Sequence, residues 1–346
     1  MMSSALSMDC TLLSLLILSP PFKIFCYFII LKNLPLCKWR IYMIISTICK
    51  LLLAMGVGYY LNKKRVFTEE VSQKLSYFVV NIAMPLMIVT SLNNTEIADK
   101  GELLRYILTG ACFYLIIPFL AKGINLLTKV PKEERPVYEA FYLFSNNMFM
   151  GYPVAASLYG SGCIFQLSMF NLGFNLLYYT YGIKLFQIGK DKEKEKFDYK
   201  KVLGPGTIAA IIAIVLFFTG LKLPEAATEV CSFLGNVSSP LSMVIIGSTI
   251  GTYSLKSIFG DDKRLYFVSV IRLVLMPVAT YFILSVLGFT GILRGTATVA
   301  MGMPVASLVS MGCIEHQSNE KLGSAGVVLT TIVSLFTIPV MLIFLG

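Results

Sequence analysis

The sequence predicts an all-α membrane protein of ten transmembrane helices, arranged as two inverted five-helix repeats. The first observation behind this is composition: of 346 residues, 56% are hydrophobic and 14% charged, with a mean hydropathy of +0.75. Soluble chains carry about 25% charged residues, so the deficit points to a membrane. The second is that the apolar residues gather into ten runs, each close to the ~20 residues a membrane-spanning helix needs. The third is a stretch that occurs twice. Gly151-Tyr152-Pro153-Val154-Ala155 through Ile164 returns 151 residues later as Gly302-Met303-Pro304-Val305-Ala306 through Ile314, with nine identities in thirteen positions once Ala156 is set aside.

Residues 1–42 form a hydrophobic leader of uncertain status. Thr11 to Leu31 is apolar, but Pro20, Pro21 and Lys23 interrupt it, and Met43 makes a natural start for the first span. The leader is therefore expected to lie outside the functional core. The first repeat, 43–188, holds predicted spans 43–61, 70–92, 104–127, 138–159 and 163–186. A polar linker, 189–201, is expected to be cytoplasmic. The second repeat, 202–346, holds spans 202–220, 228–252, 265–287, 291–313 and 323–345.

Two further marks relate the halves. Asn81 and Pro85 in span 2 answer Asn236 and Pro240 in span 7, a proline offset of 155; Pro118 in span 3 answers Pro277 in span 8, an offset of 159. An odd number of spans per half makes the second enter the membrane from the opposite side. Loops after odd-numbered spans carry 19 Lys and Arg, those after even-numbered spans carry 4. The positive-inside rule puts the odd loops in the cytoplasm. The same scatter over short loops argues against nucleic-acid binding, despite a net charge of +10. Eight cysteines show no C-x-x-C pair and no histidine at metal spacing, so neither a disulfide framework nor a metal site is expected.

Gly-x-Pro inside an apolar span should interrupt the helix, because proline removes a backbone hydrogen bond and clashes with the preceding turn. Paired broken helices at matching positions of two halves mark the binding site of secondary transporters. Cut helix ends present N–H groups that attract a carboxylate and C=O groups that can hold a cation. The expected substrate-binding set therefore starts from Gly151, Pro153, Gly302 and Pro304, with Asn146 and Asn147 one turn before the first motif, where their amides either contact substrate or cap the freed backbone. Asn171 and Asn175, four apart in span 5, share a face and either join helices or touch substrate. Arg272 and Lys50 are the two full charges well inside spans. Arg272 either faces a substrate carboxylate, bonds carbonyls freed near Pro277, or snorkels to the interface. Thr330, Thr331 and Ser334 are expected to back-bond to their own helix, with cation or substrate ligation as the alternative. No paired acids or nucleophile–base set lies within the spans, which argues against an enzyme; no cofactor is expected.

Several of these segments resemble the auxin efflux carrier family: Gly56-Val57-Gly58-Tyr59-Tyr60, Asn81 with Pro85, Asn146-Asn147 leading into Gly151-Tyr152-Pro153, Arg272 with Pro277, Met303-Pro304, and Thr330 through Pro339. The likeness runs from 43 to 346, and the short linker resembles the bacterial malate and malonate permeases. It implies the fold of bile-acid symporters and sodium–proton antiporters, with broken helices 4 and 9 crossing. It also implies a scaffold of helices 1, 2, 6 and 7, a mobile transport domain of helices 3–5 and 8–10, and a homodimer. Asn147 is the residue that the family motif singles out. The function implied is plasma-membrane transport of a small organic anion, a dicarboxylate such as malate, by alternating access, with membrane lipid as the other partner. A sodium-coupled carrier of a bile-acid-like or amino-acid substrate, and a non-transporting membrane sensor, are the alternatives.

Overall fold

The computed structural model describes residues 36–95, 100–188, 203–252 and 263–345, so the leader up to residue 35 and the whole of the linker lie outside it. The chain divides into two compact units, 1–47 and 48–346. Apart from the start of α1, everything that follows concerns the second.

All ten apolar segments are helical. They form α1 (Leu36–Lys63), α2 (Glu69–Asn94), α3 (Lys100–Leu127), α4 (Arg135–Leu143), α5 (Tyr152–Tyr159), α6 (Cys163–Phe170), α7 (Leu172–Leu177) and α8 (Ile183–Gln187). The second half supplies α9 (Pro205–Thr219), α10 (Glu225–Thr252), α11 (Lys263–Val286), α12 (Gly291–Gly302), α13 (Ser307–Glu315) and α14 (Glu320–Leu345). By length and composition α2, α3, α10, α11 and α14 can each cross a membrane. No strand occurs among the described residues; one isolated antiparallel bridge does, between Ser145 and Val305. Large apolar side chains stay exposed along the helices, among them Phe119, Phe233 and Phe336. A surface of that kind is suited to lipid rather than water.

Prolines shape three of these helices in one way. A widened π turn ends two residues before Pro85 (Val79–Ala83), Pro153 (Asn147–Gly151) and Pro277 (Ile271–Leu275). The extra residue makes room for a ring that would otherwise strike the carbonyl four positions back. Glycines bring helices into backbone contact. A Cβ on Gly58 would run into the Val244 carbonyl, and one on Gly247 into the Met55 carbonyl, so α1 and α10 touch along Gly247 and Gly251. Small residues four apart permit such an approach in membranes. Gly110 does the same for α3 against the Phe170 backbone of α6, which sets Tyr114 beside the α6–α7 junction.

The two helix breaks differ from expectation in one respect. The second lies at Gly302-Met303-Pro304 as predicted: α12 ends at Gly302, and Met303 takes extended dihedrals (φ −74°, ψ 149°), as the residue before a proline is forced to. The first break falls not at Gly151-Tyr152-Pro153 but at Phe144–Asn146, upstream of it. Pro153 lies within helix that runs unbroken from the π turn into α5, the widened turn accommodating its ring. The stretch 144–146 instead pairs with the other break: Asn146 N–H donates to the Pro304 carbonyl (2.8 Å) and Ala306 N–H to the Phe144 carbonyl (2.9 Å). The paired residues, Ser145 and Val305, are 160 apart, close to the 159 of Pro118 and Pro277 rather than the 151 of the repeated motif.

Candidate functional site

Where the breaks meet, the chain must satisfy backbone groups that no helix serves. Three side chains complete the pairing of 144–146 with 304–306. Thr330 on α14 accepts from Val305 N–H (3.1 Å) while its hydroxyl donates back to Gly326 O (2.8 Å). Arg272, in the π turn of α11, is wholly buried and donates through Nε to Met303 O (3.1 Å) and through Nη1 to Tyr142 O (2.7 Å). Its Nη2 bonds the Ser145 hydroxyl.

Beside this junction lies a buried polar cluster drawn from three segments. Asn147 opens the π turn that leads into α5, and its Nδ2 donates to Asn171 Oδ1 (2.8 Å) and to the Tyr114 hydroxyl (3.3 Å). The Tyr114 hydroxyl itself donates to Asn171 Oδ1 (3.3 Å), and Asn171 Nδ2 donates to the Tyr152 hydroxyl (3.4 Å). Asn147 is 2% exposed, yet its Oδ1 has no hydrogen-bond partner among the described residues. A buried acceptor left open in that way costs ~1–3 kcal/mol, which a ligand donor can recover. Gly151 borders that oxygen: a Cβ there would stand 3.1 Å from Asn147 Oδ1. Met150, in the same π turn, also lines a cavity of about 30 Å³ with Leu51, Met55, Met243 and Ser334. That is room for about one water molecule, not for an organic anion.

Residues 43–342 match the family model described as "Membrane transport protein". The chain belongs to that family. Among its relatives, an "Uncharacterized transporter" of Methanothermobacter thermautotrophicus is 26% identical over 298 residues, 85% of this chain and 96% of the relative. The "Uncharacterized transporter MJ1031" of Methanocaldococcus jannaschii is 26% identical over 83% of this chain and 94% of its own. The "Uncharacterized transporter YfdV" of Escherichia coli K12 is 21% identical over 68% of this chain and 76% of its own. With its apolar helices and broken-helix junction, this chain is a membrane transporter of the family that the auxin efflux carrier motifs indicated.

Most residues singled out from the transporter's sequence converge on one place. Asn146, Pro304 and Gly302 form or flank the paired breaks, and Arg272 bridges them. Asn147, Gly151 and Asn171 make the cluster, with Pro153 buried one turn further along α5. A Cβ on Gly302 would meet Met341 and Pro277, so this glycine seats the end of α12 against α14 and α11. Asn175 lies elsewhere: its Nδ2 donates to Thr207 on α9 (3.0 Å). Thr331 and Ser334 bond carbonyls of their own helix, as expected. Lys50 is exposed on α1. Glu139, near a predicted span entrance, is only 5% exposed and accepts from the Tyr181 hydroxyl. Tyr114, Tyr152 and Ser145 escaped the sequence reading. Their signal was a polar tip inside an apolar span, which must find a partner when buried.

Proposed function

We propose that this transporter carries a small organic anion, a dicarboxylate such as malate, across the plasma membrane by alternating access. The observation that carries the reading is the open acceptor of Asn147, buried beside two helix breaks that pair with each other. Half-helix N-termini at a midplane crossing favour a carboxylate. The Asn147 oxygen suits the hydroxyl of a hydroxy-dicarboxylate, and the Tyr114 and Tyr152 hydroxyls can turn toward a bound carboxylate.

In this reading the ten helices form two inverted repeats, 43–188 and 202–346. Helices 1, 2, 6 and 7 act as a scaffold in a homodimer, while helices 3–5 and 8–10 travel as an elevator. The small cavity then belongs to a closed state, and binding has to bias two states that differ by only a few kcal/mol. Asn146 and Pro304 would hold the crossing by their backbone, Gly302 and Pro153 would seat its helices, and Asn147, Gly151 and Asn171 would meet the ligand. Asn175 would act between domains rather than on substrate.

A second reading draws on the same atom. An unpaired amide oxygen also suits a cation, as in a sodium-coupled carrier of an amino-acid or bile-acid-like solute. Counterflow of labelled malate in proteoliposomes, in sodium and in choline buffers, separates the two. Exchange in both buffers, competed by malonate, is the expected result. Exchange of an amino acid only in sodium would overturn the dicarboxylate reading.

A further inference from the structure

Four half-helix ends meet at the junction: the C-terminal ends of α4 and α12, and the N-terminal ends of the π turn leading into α5 and of α13. Left bare, two carbonyl ends and two amide ends carry opposite partial charges of about half a unit each, and the junction is close to neutral. Such a site could take a cation at the carbonyl ends as readily as an anion at the amide ends.

Arg272 removes that symmetry. Its guanidinium reaches the Tyr142 carbonyl in the last turn of α4 and the Met303 carbonyl that follows α12. Its other contacts are the Ser145 hydroxyl, between them, and the Met276 sulfur at 3.4 Å. Every one of these acceptors is neutral, and the side chain is wholly buried. The planar fork of arginine serves two helices at once, in a fixed geometry. Ser145, which the guanidinium holds, also accepts from the Asn147 N–H through its carbonyl (2.8 Å), so the charge sits beside the Asn147 cluster.

We infer that Arg272 sets the sign of the site: it is a tethered cation on both carbonyl ends, which leaves the amide ends unopposed and makes the junction selective for an anion without a companion cation. The inference rests on the proposed reading of the junction as the binding site. Arg272 is then a positioning and selectivity residue that need never touch substrate.

The test is malate uptake into proteoliposomes by the wild type, Arg272→Ala and Arg272→Lys, in sodium and in choline, with millimolar methylguanidinium added in a parallel series. Competition by malate is compared with that by its neutral diamide. Wild-type uptake should be equal in the two buffers and should favour malate over the diamide. In Arg272→Ala that preference should fall by roughly ten- to a thousandfold, the range that a fixed charge in a low-dielectric cleft contributes. Methylguanidinium should restore part of it, which a purely structural defect would not allow. Arg272→Lys keeps the charge and should keep the preference, and it serves if the alanine variant does not fold. Undiminished anion preference in folded Arg272→Ala, or its loss in folded Arg272→Lys, would overturn the inference. Malate uptake that requires sodium in the wild type would overturn it while leaving the carrier reading intact. A wild type that takes up neither malate nor malonate would overturn both.

Discussion

Asn147 spends both amide hydrogens on Tyr114 and Asn171 and leaves its oxygen open. Replacing it with alanine removes two buried donors and the open acceptor together. Malate uptake should then fall about tenfold or more, since each such bond is worth about 1 kcal/mol and the Asn171 oxygen loses a donor. Tyr114→Phe keeps the ring contacts with Phe170 and Phe174 and deletes the hydroxyl alone. It should weaken uptake by a smaller factor, about two- to fivefold, and destabilise the protein by about 1 kcal/mol, because one buried Asn147 amide hydrogen loses its acceptor. Gly151→Ala places a methyl against Asn147 Oδ1 and should raise the KM for malate more than it lowers kcat. Equal kinetics for Gly151→Ala would remove that oxygen from the ligand path. At this scale the sequence picked out Asn146, Asn147 and Asn171 as polar groups in apolar spans, and the structure brings them to the paired breaks and the cluster beside them. Tyr114 was not legible. Its contact with Asn171 depends on α3 touching the α6 backbone at Gly110, a tertiary fact that no local pattern carries.

Helix positions follow closely from the apolar runs, since in hydrocarbon a spanning backbone must satisfy its own hydrogen bonds. The prolines also spoke: Pro304 as a break, but Pro85, Pro153 and Pro277 as π turns. The first break was hidden because Phe144, Ser145 and Asn146 include neither glycine nor proline. That stretch is extended because it pairs with 304–306, and the partner lies far away in sequence. The nine-in-thirteen identity of the repeated motif drew attention to Gly151 and away from Ser145. Thr330 tests the junction as an element: its hydroxyl is what Val305 N–H donates to. Thr330→Val should leave that buried N–H unmet and destabilise the protein by about 1–3 kcal/mol, read as a lower Tm, while Thr330→Ser should restore it. Gly247→Leu should part α1 from α10, where no Cβ fits beside the Met55 carbonyl, and cost about 1–3 kcal/mol or more through overpacking. Wild-type thermal stability in that variant would contradict the backbone contact.

For the whole molecule the question is what moves. The Asn175–Thr207 hydrogen bond joins α7 to α9 and therefore crosses the proposed division between transport domain and scaffold. In a background without native cysteines, a short crosslink between Asn175→Cys and Thr207→Cys should stop transport, and its release should restore it. Flux that continues through a crosslinked protein would exclude sliding at that seam. The two-domain division itself came from resemblance, because no composition shift separates helices that stay from helices that travel.

The central claim is tested most directly by labelled-malate flux into proteoliposomes, with and without an imposed membrane potential, for the wild type and Asn147→Ala. The account predicts flux that responds to the potential in the wild type and is largely lost in the variant. Undiminished flux in Asn147→Ala would contradict it, placing the substrate away from the paired breaks and leaving the Asn147 amide as a structural cap.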